Sequence, residues 1–280
     1  MPAIPALAVD SATGAIGRLA AEELSRLGLP LRLLARTPSR APQLPGATVE
    51  QSAFGHPERT RETLEGVTTL LIVVTDDEPG WYEHERALLD AAVDEGVRHV
   101  VLTSVQSAGP EATFTHGRLH AAAEEALRTS GVGWTVLRPS FTLDLVALLP
   151  DAADEIHATA GDGRVAAVAK QDVARAAAAV LRDPVAHAGR TYELTGPAAL
   201  SFETLAETLS AVSGRSIRYV PETAEEGRRW RAATGAPDWQ LDAWISTFAA
   251  IARGEHERVT GDVEELTGRR PLSLEELLTA

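Results

Sequence analysis

Val9-Asp10-Ser11-Ala12-Thr13-Gly14-Ala15-Ile16-Gly17 is the stretch on which the fold of this chain turns. An apolar run, Ile4 to Val9, leads into it. A helical pattern follows, with Ala20, Leu24 and Leu27 on one face and Gly28 where a helix stops. A strand, a glycine-bearing turn and a helix N-terminus together suit a pyrophosphate. The first N–H groups of a helix have no partner within it, and the helix dipole adds partial positive charge there. The three-glycine fingerprint of such turns is incomplete here: Gly14 and Gly17 fill the second and third places, and Ser11 stands in the first. Residues Ser11, Ala12, Thr13, Gly14, Ala15, Ile16 and Gly17 are therefore the candidate phosphate cradle.

Behind this unit the strand and helix signals keep alternating to about residue 140. The pattern predicts strands at 31–35, 47–51, 70–74, 97–103 and 132–137, and helices at 57–64, 81–95 and 113–130. Short connections between repeated strand–helix units imply a parallel sheet covered by helices on both faces, with ligands at the carboxyl ends of the strands. After residue 140 the rhythm changes: a turn at 160–163, an alanine-rich helix at 171–182, a strand at 190–195 and a helix at 201–213 are predicted. A short strand at 216–220 comes next, and the rest, from Glu222, reads as helical and carries Trp230, Trp239 and Trp244. The expected organisation is a dinucleotide-binding domain over 1–140, with later elements of 165–196 packed on it, and a substrate lobe over 141–280.

Composition narrows the function. Of 280 residues, 44% are hydrophobic, ample for a core, yet no apolar run approaches the roughly 18 residues of a membrane span. The absence of cysteine excludes disulfides, thiolate nucleophiles and cysteine metal sites. A net charge of −14 argues against nucleic acid, which demands a basic face. With no basic signal-like start in residues 1–10, the expectation is a cytoplasmic protein that acts on a small molecule, without a membrane or nucleic-acid partner. An oligomer is compatible with all of this.

Arg36 and Arg40 follow the second predicted strand, where the adenosine ribose of a dinucleotide lies. An acidic residue there would meet the 2′-hydroxyl, whereas arginine suits a 2′-phosphate, and no Asp or Glu occurs between Leu29 and Val49. NADP(H) is the expected cofactor; the competing reading is a pair of solvated loop arginines. Thr75 ends the fourth strand and Thr103 and Ser104 the fifth, on the same rim. Their hydroxyls either face the cofactor or cap loops. His116 and His120 lie four apart on one helix face, with Glu124 a turn further on. They serve as proton donor or substrate anchor, as a metal site lacking a clear third ligand, or as a polar face. His120 is favoured for the first role, with His116 nearer solvent. No metal is expected.

The chain resembles the atypical short-chain dehydrogenase/reductases of the NmrA-like type, near the NADPH-dependent quinone oxidoreductases and triphenylmethane reductases. The matching pieces run through nearly its whole length: Ala12-Thr13-Gly14-x-x-Gly17, Arg36, Thr103-Ser104, Ser130-Gly131-Val132 leading into Leu137-Arg138-Pro139, and Ala160-Gly161-Asp162-Gly163-Arg164. Tyr192-Glu193-Leu194-Thr195-Gly196 and Leu266-Thr267-Gly268-Arg269 complete the series. The resemblance implies a Rossmann-type, doubly wound α/β fold with a smaller, mostly helical C-terminal substrate lobe. It further implies NADPH along residues 11–17 and hydride transfer to a small, often aromatic or quinone-like acceptor. It places Arg138, Pro139, Ser140 and Phe141 along the nicotinamide. Ser104 then joins His116 and His120 as a candidate catalytic residue. The departures are Asp10 and Ser11 in place of the family's threonine and glycine, Ala53 in place of an acid, and His120 at the superfamily's lysine with no tyrosine before it. They leave two alternatives beside the reductase: a non-catalytic dinucleotide sensor, and a biosynthetic enzyme of non-redox chemistry using the histidines.

Overall fold

The computed structural model describes residues 6–52, 57–74 and 80–279. Thr75 and Ala53, singled out above, lie outside the described residues. The main sheet has seven strands: β1 (Leu7–Val9), β2 (Leu31–Ala35), β3 (Ala47–Gln51), β4 (Thr69–Val73), β5 (His99–Thr103), β6 (Gly133–Pro139) and β7 (Arg190–Leu194). Their order in space is β3-β2-β1-β4-β5-β6-β7. Pairing is parallel from β3 through β6, with Val9 opposite both Leu33 and Leu71. Strands two, four and five are buried at every position, as strands covered on both faces must be. The strand order reverses between β1 and β4, and such a reversal opens the ligand crevice of a doubly wound sheet. This is the Rossmann-type fold expected from the sequence.

The chain divides into two compact units whose boundaries cut across the sequence halves. Unit 1 holds residues 1–104, 120–138 and 173–192; unit 2 holds 105–119, 139–172 and 193–280. The alternating part therefore gives up 105–119 to the second unit. Unit 1 is organised around Leu70, Ile72, Val100, Leu102, Val136, Leu88 and Leu127. Unit 2 has its own core of Phe202, Leu205, Ile156, Val146, Phe248 and Ile251. Beside its helices unit 2 contains two small sheets, of whose strands only Arg218–Pro221 corresponds to a predicted one, the short strand at 216–220. Arg218–Pro221 pairs in parallel with Glu155–Ala158, and Leu200–Ser201 pairs antiparallel with Arg164–Val165. Segments of two to four residues are too short to display a period. No helix of the described residues is long and apolar enough to cross a membrane.

Candidate dinucleotide and substrate sites

In unit 1 the chain leaves β1 through a turn and enters helix Ala15–Arg26 at Gly14, the N-cap. Ser11 adopts a φ of 52°, the left-handed region that glycine enters freely and a serine enters with strain. The first place of the fingerprint thus keeps the backbone of a glycine while holding a side chain. The hydroxyl of Ser11 donates to Asp10 Oδ2 at 3.1 Å. The turn is tied down by Asp10 N–H to Leu71 O (2.9 Å), Ala12 N–H to Leu34 O (3.1 Å) and Gly14 N–H to Ser11 O (2.8 Å). Intrahelical bonding starts only at Arg18 N–H to Gly14 O (2.9 Å), so the N–H groups of Ala15, Ile16 and Gly17 have no partner among the described residues. No acidic residue occupies the first helical turn. These donors and the helix dipole fit a pyrophosphate.

Asp10 does not confront that site as an exposed charge. It is buried at 3% exposure, and burial pushes its carboxyl above the usual range, partly offset by His84, Ser11 and Arg36.

Arg36 follows β2 directly and Arg40 closes the turn Pro38–Arg40; both are exposed. Arg18, which the sequence reading passed over, reaches across from the glycine-turn helix and donates to the Arg40 carbonyl at 3.0 Å. Neither Arg18 nor Arg40 has a carboxylate partner among the described residues. In a chain of net charge −14 this is an anion-seeking corner.

Ser104 and Arg138 occupy a different setting from the one expected. Glu124, on helix Thr115–Thr129, is fully buried, and the Ser104 hydroxyl donates to its Oε1 at 2.5 Å. Arg138 grips both carboxylate oxygens (Nε to Oε1 2.8 Å, Nη2 to Oε2 2.7 Å), and Arg128 adds a bond to Oε2 at 2.7 Å. Burial alone would raise the pKa of Glu124. The bonds from Arg138 and Ser104, with the charge of Arg138, overturn that and hold the carboxyl below its ordinary value. The acid one helical turn beyond His120 is thus held between guanidinium groups. Thr103 is also engaged, accepting from Val74 N–H at 3.0 Å.

His120 is buried in unit 1, its ring 5.0 Å from that of Trp81. His116 belongs to unit 2 and, at 7% exposure against 2% for His120, is the nearer to solvent of the two while still buried. Trp239 stacks on it at 6.0 Å and Phe114 lies at 5.5 Å. Neither histidine sits on a solvated polar face. In unit 2 Pro139 is followed by buried Ser140, whose N–H donates to Leu194 O (2.9 Å), and by Phe141, whose ring lies 6.1 Å from Phe248.

Residues 11–184 match the family model described as NAD(P)H-binding. The chain belongs to this NAD(P)H-binding family. It is 30% identical to an NAD(P)H azoreductase of Xenophilus azovorans, over 93% of this chain and 92% of the relative. It is 34% identical, with the same coverage, to a (4-alkanoyl-5-oxo-2,5-dihydrofuran-3-yl)methyl phosphate reductase of Streptomyces griseus. Among solved structures it resembles an NADPH-dependent quinone oxidoreductase of Escherichia coli complexed with NADPH, with a TM-score of 0.89, 26% identity and 98% coverage of both chains.

For this NAD(P)H-binding protein, several polar residues of note escaped the sequence reading. Arg18 sits one place after the third glycine, where the motif itself sets no requirement. Gln106 and His256 carry no local pattern at all, yet both are buried in unit 2. Burial pushes His256 down to about 4, with Glu255 acting in the opposite direction. Its ordinary value is 6.5, so the folded state resists protonation that the unfolded chain accepts. The stability His256 contributes is complete above pH 6.5 and is lost as pH falls from there toward 4. The loss amounts to about 3 kcal/mol at 1.36 kcal/mol per pKa unit. Urea unfolding from pH 7.5 to 4 should show this slope, and His256→Gln should flatten it. An equal slope in both proteins would remove His256 as the source.

Proposed function

We propose that the protein is an NADPH-preferring oxidoreductase that delivers hydride to a conjugated carbonyl, azo or quinone-like acceptor. The observation that carries the cofactor preference is the arginine corner beside the phosphate turn: exposed Arg36 and Arg40 after β2, with Arg18 bonded to the Arg40 carbonyl. The acceptor class rests on relatives named as azoreductase and quinone oxidoreductase. NADPH, when bound, supplies the hydride. The chain's own residues hold the pyrophosphate on the N–H groups of Ala15, Ile16 and Gly17 and the 2′-phosphate on the arginines. His120, enclosed beside Trp81, donates the proton that neutralises the developing negative charge on the acceptor.

Direct titration tests the preference. NADPH should bind about 10- to 100-fold more tightly than NADH, the worth of a charge-assisted contact. Arg36→Ala should erase most of that margin while leaving NADH affinity near its starting value. Equal affinities in the unaltered protein would end the proposal. For the proton, His120→Ala should lower quinone turnover by roughly 10²-fold with NADPH affinity nearly unchanged. Unchanged turnover would return His120 to a packing role against Trp81.

A further inference from the structure

Four polar atoms of unit 2 are buried and have no hydrogen-bond partner among the described residues: Gln106 Oε1, Ser140 Oγ, Thr142 Oγ1 and His256 Nδ1. Gln106, Ser140 and His256 are each at most 5% exposed. Such atoms carry an uncompensated loss of hydration unless a ligand or an ordered water meets them. Three of them belong to one neighbourhood. Gln106 N–H donates to the Pro139 carbonyl at 2.8 Å, which sets Gln106 beside Ser140. The side-chain amide of Gln106 donates to the Arg258 carbonyl at 3.0 Å, two residues from His256. The Ser107 hydroxyl on the Glu255 carbonyl fastens the same two segments. Glu255 spends its carboxylate on Thr113, so it is already engaged, and burial keeps the His256 imidazole neutral.

The chemistry of the three groups is specific. Gln106 Oε1 only accepts, a neutral imidazole protonated at Nε2 accepts at Nδ1, and the Ser140 hydroxyl can donate. Their complement is one uncharged planar group offering two N–H donors and a carbonyl. We propose that Gln106, Ser140 and His256 form a subsite for a primary carboxamide. Resting on the NADPH reading, the subsite has two sources of that group: the carboxamide of the nicotinamide ring, or one borne by the acceptor.

Binding measurements separate them. The full chain, Gln106→Leu and Ser140→Ala are titrated with NADP+, with its 3-acetylpyridine analogue, in which a methyl replaces the amide nitrogen, and with 2′,5′-ADP. The pair 1,4-naphthoquinone-2-carboxamide and 2-acetyl-1,4-naphthoquinone is titrated by tryptophan fluorescence. The unaltered protein should favour the carboxamide member of one pair about tenfold, as a buried hydrogen bond allows. That ratio should fall toward one in Gln106→Leu, whereas Ser140→Ala should weaken both members of the pair alike because both keep the carbonyl, with 2′,5′-ADP affinity unchanged as the sign of an intact fold. Selectivity in the dinucleotide pair assigns the nicotinamide; selectivity in the quinone pair assigns the acceptor. No selectivity in either pair, a ratio that survives Gln106→Leu, or affinities that Ser140→Ala leaves unchanged for both members overturns the proposal in favour of ordered water. Failure of the unaltered protein to bind 2′,5′-ADP counts against the NADPH reading instead, and the quinone pair still decides the subsite.

Discussion

Gly17→Ala should cost about 1–3 kcal/mol of stability and weaken NADPH binding on the order of 100-fold. A Cβ built at Gly17 falls 2.4 Å from the Ser11 carbonyl oxygen and 2.8 Å from that of Asp10. Both contacts are with backbone atoms, which no rotamer change can move aside. Relief requires the helix start to back away from the end of β1, and the unpartnered N–H groups of residues 15–17 move with it. A displacement of about 1 Å is enough for losses of that size in a positioned site. Gly14→Ala is the control. Its φ is −78°, which alanine adopts freely, and its Cβ would stand 3.2 Å from the Ser11 oxygen. The second substitution should cost much less in both melting temperature and NADPH affinity. Equal costs would mean that close approach is not what Gly17 provides.

Glu124→Ala should destabilise the protein by about 3–5 kcal/mol, the usual cost of removing one partner from a buried ionic network. The substitution takes away the carboxylate shared by the guanidinium groups of Arg138 and Arg128 and by the Ser104 hydroxyl. Arg138→Ala should likewise lower urea stability, rather than act on cofactor affinity alone. Replacing the pair together, Glu124→Leu with Arg138→Met, should recover most of the loss, because hydrophobic isosteres need no desolvation of charge. The pH dependence has a definite sign. The folded carboxyl titrates below its ordinary 4.5, so the stabilisation is complete above that value and is lost as pH falls through the lowered pKa. Full stability of Glu124→Ala at pH 7 would show the network to be inconsequential.

The sheet and its cofactor turn were legible from the sequence because both depend on local pattern. Apolar runs broken by Gly28, Gly96 and Gly131 define strand–helix units, and those glycines do lie at positive φ after their helices. The parallel order follows from short connections. The arginine after β2 was visible through the absence of acids near it. Side-chain pairing was not legible. Ser104, Glu124 and Arg138 stand 20 and 14 residues apart, and nothing local in the sequence says that a strand-end hydroxyl, a helical acid and a strand-end guanidinium meet. The burial of Asp10, which lifts its pKa, depends on what packs around it rather than on its neighbours in the chain. The assignment of His116 and His120 to different units, with Trp239 and Trp81 as their ring neighbours, is likewise a property of packing. Periodicity encodes which face of an element is apolar. Which polar groups are enclosed, and by what, is fixed only when elements distant in sequence come into contact and water is excluded between them.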